Sequence, residues 1–209
     1  MRKRIRKIKE ERVFGKRRTF ARTAEGEKAP RSYRKIASDH EIAMMRYLKA
    51  KGVEFPTFSV IKKGDQNHLF IRAAGEKVSN IFGKLKQEEK EQIALQIAKK
   101  LGKMHSIGVE HKDVRAGNIL WDAKKKKASL IDFSEAEGRE INLKTASLKE
   151  IMGAGAFGVE IYSFRNFLRN ELKVPKPEEY VFKLIENYGM ANKKKQELIE
   201  ILRKRFQKR

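Results

Sequence analysis

The chain has 209 residues, enough for one large domain or a compact two-lobed one with a sizeable core. Lys and Arg number 50 against 27 Asp and Glu, a net charge of +23 that attracts polyanions such as RNA, DNA, a nucleotide or an acidic partner. With no cysteine, disulfides and thiol chemistry are excluded; no apolar run nears the ~18 residues of a membrane span, and no secretory signal follows the basic N-terminus, so a soluble cytoplasmic protein is expected.

The charge is uneven. Residues 1–22 carry a net +9 and residues 193–209 a net +6, so contact with a polyanion such as tRNA or another RNA is expected along Arg2–Arg22 and Lys193–Arg209. In chain order, basic N-terminal strands come first. A helix follows, starting near Ser38, carrying Ile42, Met45 and Leu48 on one face, and stopping at Gly52 with Pro56 just beyond. The turn Lys63–Asn67 (KGDQN) then separates TFSVIK from HLFIRA as a hairpin. Ile93, Ile97, Leu101 and Met104 recur at helical spacing and predict a long amphipathic helix over 87–106. A second hairpin pairs NILW with ASLID around DAKKKK, whose lysines read as a solvated loop tip. Phe157, Ile161, Phe164 and Leu168 mark a third helix. Pro175 and Pro177 punctuate the chain before a helix over 178–188, and a basic helix over 193–207 closes it, with Leu198, Ile201 and Leu202 facing inward. A small sheet with one helix is thus followed by a mainly helical part, the boundary lying near Ala73–Gly75 and giving expected units 1–74 and 75–209.

The chemistry is concentrated in two stretches. Residues 111–118 read HKDVRAGN, an H-x-D-x4-N pattern, and residues 130–134 read LIDFS, an apolar strand ending in Asp-Phe. The NILW/ASLID hairpin between them brings Asn118 and Asp132 back towards each other. Asp132 and Asn118 are hard oxygen donors suited to Mg2+, and Asp113 is placed to orient a nucleophile and accept its proton. Such a set fits phosphoryl transfer, in which positioned polar groups and a divalent cation meet charge on the transferring oxygens. His111 reads as a brace for the loop.

This segment resembles the catalytic region of the protein-kinase superfamily, over about residues 36–168 and best over 93–134. The resemblance implies an α+β, two-lobed kinase-like fold with a reduced N-terminal β lobe, and ATP with Mg2+ as cofactors. It also implies that Arg115 steadies the transferring phosphate, that Glu41 pairs with a phosphate-gripping lysine, and that Ala73 lies in the hinge that bonds adenine. For that lysine the candidates are Lys9, Lys16 and Lys28, and Lys16 is preferred for its 25-residue separation from Glu41. The chain departs from the superfamily in lacking G-x-G-x-x-G and A-P-E, and in having Ser134 where D-F-G has glycine. It therefore looks like the compact atypical kinases, the RIO group and the small archaeal kinase/ATPase subunit of the KEOPS tRNA-modifying complex. That subunit's H-G-D stands here as His111-Lys112-Asp113. An ATP-dependent serine/threonine kinase or ATPase with a protein or RNA partner is expected; the alternatives are a nucleic-acid-binding module or pseudokinase, and a sugar or lipid-A kinase.

Overall fold

The computed structural model describes residues 9–13, 16–20, 32–72, 75–138, 141–153 and 157–207. Strands β1 (Lys9–Val13) and β2 (Lys16–Phe20) form an antiparallel pair. β3 (Ser32–Ala37) runs almost directly into α1 (Asp39–Ala50), where Ser38 caps the helix by accepting the Glu41 N–H at 3.1 Å. β4 (Phe58–Lys63) and β5 (Gln66–Arg72) form the expected hairpin around Gly64, whose φ of +57° suits a residue without a Cβ. β5 also pairs with β3, giving the antiparallel order β3-β5-β4. Leu69 and Ile71 of the central strand are buried with Ile42, Met45 and Leu48 of α1, so helix and sheet share one core.

The chain then passes into a helical lobe. Gly75 has φ +106°, and a Cβ there would stand 2.0 Å from the Trp121 carbonyl oxygen; only glycine lets β6 (Glu76–Lys77) lie so close to the next hairpin. A short α2 (Val78–Ile81) leads to α3 (Gln87–Ser106), which buries Ile93, Ile97, Leu101 and Met104 as its periodicity predicts. β7 (Val109–Glu110) precedes the loop bearing Asp113. β8 (Ile119–Asp122) and β9 (Lys127–Leu130) make the second hairpin, and β10 (Glu137–Gly138) pairs back on β7.

Helices α4 (Leu148–Met152), α5 (Gly158–Asn166) with a π turn over Phe167–Glu171, α6 (Pro177–Glu186) and α7 (Asn192–Gln207) complete the lobe. Gly102 lets α6 approach α3 so closely that a Cβ would meet the Leu184 carbonyl oxygen at 2.4 Å. α7 buries Leu198, Ile199, Leu202 and Phe206. Ile201, expected to face inward, is only half-buried, and Ile199, two residues earlier, is buried in its place. The fold is α+β and two-lobed, a small β lobe with one helix on a larger helical lobe. No described helix is long and apolar enough to cross a membrane.

Candidate active site

The β8–β9 hairpin brings the two motif stretches together. Ile119 pairs with Leu130, and the Ile131 N–H donates to the Asn118 carbonyl at 2.9 Å, so Asn118 and Asp132 end adjacent strands. Asn118 is buried, and its amide nitrogen donates both to the Asp113 carbonyl (3.0 Å) and to the Asp113 carboxylate (2.7 Å). The amide oxygen is therefore the atom of Asn118 that can meet a cation. Arg115 lies largely exposed beside the same carboxylate, its Nε 2.9 Å away. Asp113, Arg115, Asn118 and Asp132 thus converge on one mouth between the lobes.

Glu41 comes to that mouth from α1. Buried to 1% exposure, its carboxylate accepts the Phe133 N–H at 3.1 Å and meets the Lys35 ammonium at 2.8 Å. The same ammonium stands 2.6 Å from Asp132. Desolvation pulls the Lys35 pKa down, but hydrogen bonds to Asp132 and Glu41 outweigh it, so the pKa lies above the ordinary lysine value. Lys16, the residue expected opposite Glu41, lies in β2 with its side chain outside the described residues, and Ala73 is outside them altogether. The lysine that meets Glu41 is Lys35, only six residues before it in sequence, because β3 enters α1 with no loop between. Strand alternation in SYRKIA carried the signal, setting Tyr33, Lys35 and Ala37 on one face.

The helical lobe fixes the Asp113 loop through a residue the sequence did not single out. Glu160 of α5, 2% exposed, accepts the His111 N–H (2.9 Å) and the Lys112 N–H (2.6 Å), and it also binds the buried His105 ring. His105 in turn stacks on Phe157 and lies 2.7 Å from the Tyr188 hydroxyl. Burial raises the Glu160 pKa, but the hydrogen bond and charge of His105, with the Lys112 N–H, bring it below the usual carboxylate value. Burial also holds the Tyr188 hydroxyl protonated.

Two residues of the mouth hold left-handed backbone, Lys112 (φ +64°) and Asp132 (φ +68°). Lys112 is the middle residue of the H-x-D motif, and the bond from its N–H to Glu160 holds the conformation a side chain disfavours. Its ammonium pairs with Glu137 on β10. His111 is a brace, as expected: fully buried, it donates from Nε2 to the Ile131 carbonyl (3.2 Å) and packs on Phe133 at 5.0 Å. Phe133 continues the column to Phe55 at 5.5 Å, tying the Asp113 loop to the β lobe. Burial keeps the His111 pKa below its ordinary value, so the ring is neutral.

Among the described residues no group of three or more His, Cys, Asp or Glu side chains is arranged to hold a metal. One carboxylate and one amide oxygen, Asp132 and Asn118, are a donor set that suits a hard cation sharing its remaining positions with phosphate and water.

The profile of the lipopolysaccharide kinase (Kdo/WaaP) family matches residues 30–152, which include all of these residues except Glu160, Tyr188 and Phe157. The KEOPS complex subunit Bud32 of Pyrococcus abyssi is 26% identical over 104 residues, half of this chain and 46% of that protein. The human cell division cycle 7-related protein kinase is 33% identical over 63 residues, 30% of this chain and 11% of that protein. The chain spans less than half the length of either relative.

Proposed function

The chain belongs to the lipopolysaccharide kinase (Kdo/WaaP) family, and on that premise we propose that it is an ATP- and Mg2+-dependent phosphotransferase, an atypical serine/threonine kinase or ATPase. The observation that carries the reading is the Lys35 ammonium held between Glu41 and Asp132, at 2.8 and 2.6 Å, beside the Asp113–Asn118 pair. In the proposal Asp132 and the Asn118 amide oxygen would hold Mg2+, and Lys35, steered by Glu41, would meet the nucleotide phosphates. Asp113 receives the proton of the acceptor hydroxyl, and Arg115 balances charge on the transferring phosphate. When bound, Mg2+–ATP would supply the phosphoryl group, ADP being the leaving group, and the cation would offset charge on the phosphate oxygens.

Magnesium-dependent ATP turnover tests this. Wild-type protein is expected to turn over ATP, Asp113→Ala to lose about 10²–10⁴-fold, and Asp132→Ala and Lys35→Ala to fall to background while still folded. Equal background rates in wild type and Asp132→Ala would reject the proposal.

The family's name favours a second reading of the acceptor, a sugar hydroxyl instead of a serine or threonine. Transfer of labelled phosphate to a sugar but not to casein-type protein would select it. The Bud32 relative is by name a subunit of a complex, which supports a protein partner for this chain. The net +6 of residues 193–209 supports RNA near α7, and deletion of residues 203–209 is expected to flatten the salt dependence of tRNA binding.

A further inference from the structure

Two elements begin at the active site and end together on another face. α1 carries Glu41 at its start and closes at Gly52, about 16 Å further along at 1.5 Å per residue. The β8–β9 hairpin starts beside Asn118 and Asp132 and turns over Lys124–Lys127, about 13 Å away at 3.3 Å per residue. There they meet the middle of α3. Lys103 donates to the Gly52 carbonyl, and Lys100 donates to the Glu54 carbonyl at 3.1 Å. The Glu54 carboxylate lies 3.1 Å from Lys127 and 3.8 Å from Lys100. Gln96 of α3 donates to the Lys126 carbonyl and accepts the Ala128 N–H, seating the turn on the helix. The sequence reads DAKKKK as a solvated tip; in the fold it is one side of a continuous cationic face.

The carboxylates that oppose this face are few. Glu54 is shared by Lys100 and Lys127. Asp122 spends one oxygen on the turn's own Lys124 and Lys125 N–H groups and stands 3.9 Å from the Lys125 ammonium. Glu89 is turned to Trp121 and the Lys86 N–H. Lys100, Lys103 and Lys127 crowd one another enough that burial and the neighbouring cations hold the Lys100 pKa below its ordinary value. Lys124, Lys125 and Lys126 are exposed. Near the end of α1, five residues before Gly52, stands Tyr47, an exposed aromatic (42%), with the Lys51 ammonium 5.6 Å from its ring.

We infer that this face, formed by the end of α1, the middle of α3 and the β8–β9 turn, is a nucleic-acid contact surface separate from the basic ends of the chain. The cations are lysines on short turns and helix faces, which meet phosphates as point charges without base readout. The exposed Tyr47, beside Lys51 at the α1 end of the face, would serve as a stacking platform for an unpaired base, a feature that an acidic protein partner would not need. Single-stranded nucleic acid is the class that uses both. The inference does not rest on the phosphotransferase reading, since none of its residues lies at the cleft.

The probe is a labelled 12-nucleotide oligouridine, titrated by fluorescence anisotropy over a salt series. K124Q/K125Q/K126Q retains the turn, whose hydrogen bonds use the backbone of these lysines with the Asp122 and Gln96 side chains, and is expected to keep the wild-type melting temperature and ATP turnover. Each phosphate contact it removes lowers the slope of log K against log salt by about 0.7, so a drop of one to two is expected. Tyr47→Ala is expected to weaken oligouridine at least about fivefold and to leave a 12-base-pair duplex unaffected. Unchanged affinity and slope in K124Q/K125Q/K126Q, with loss only on deleting residues 203–209, would overturn the inference. Equal competition by polyglutamate of matched charge would overturn the assignment to nucleic acid.

Discussion

Glu41 and Glu160 are buried to nearly the same extent and face the cleft from opposite lobes, yet their partners differ in kind. Glu160 spends its oxygens on two backbone N–H groups and a buried histidine, so everything it binds is fixed in the core. Glu41 binds one backbone N–H and one lysine whose side chain is 30% exposed and reaches a second carboxylate as well. A carboxylate whose donors are all internal sets the shape of a loop. A carboxylate whose partner can turn to another anion sets where a charge stands, and leaves it able to move. The helical lobe thus supplies the rigid half of the site and the β lobe the adjustable half.

If that contrast holds, the largest effect falls on Glu160. Glu160→Ala strands the His111 and Lys112 N–H groups in the core and removes the partner of His105, and is expected to cost about 3–5 kcal/mol in urea unfolding. Glu41→Gln is expected to do the reverse, lowering ATP turnover about 10²-fold through misplaced Lys35 while shifting the melting temperature little. Similar loss of stability in both variants would break the contrast.

Acid tests the rigid half by another route. His111 and Glu160 both have folded pKa values below their unfolded ones, 6.5 and 4.5, so the unfolded chain binds the extra protons. Their stabilisation is complete at neutral pH. It declines first below pH 6.5 as His111 is called on to charge, and again below pH 4.5 as Glu160 nears protonation. A melting series from pH 7.5 to 3.5 should show both steps, and His111→Gln should remove the first. The smallest effect belongs to Lys112→Gly. Relief of a left-handed side chain, about 1–2 kcal/mol, is set against glycine's chain entropy and an exposed ion pair to Glu137, each under about 1 kcal/mol. The net change should stay below about 1 kcal/mol, and the substitution should soften the penalty of Glu160→Gln in a double-mutant cycle.

Asp113, Asn118 and Asp132 were legible in the sequence because each sits at a fixed offset from a turn or a strand end, and short-range geometry alone returns them to one another. Helices α1 and α3 were legible for the same reason, their apolar residues recurring at the period of the helix itself. Lys35 was not, since its partner Asp132 lies 97 residues away and a strand lysine looks like any other surface lysine until the strand has a sheet and a helix behind it. Glu160 was hidden more deeply. A lone glutamate in an amphipathic helix reads as solvated, and only the packing of α5 under the Asp113 loop turns it inward.

The sequence by itself therefore determined the elements, the order of the two lobes and the acidic and amide groups of the cleft, because those follow from local periodicity and turn chemistry. Tertiary structure alone decided which lysine meets Glu41, which carboxylate holds the loop, and that DAKKKK joins the lysines of α3 in one face. Those choices depend on charges and hydrogen-bond donors brought together from distant parts of the chain, where burial makes a pairing obligatory that no sequence spacing records.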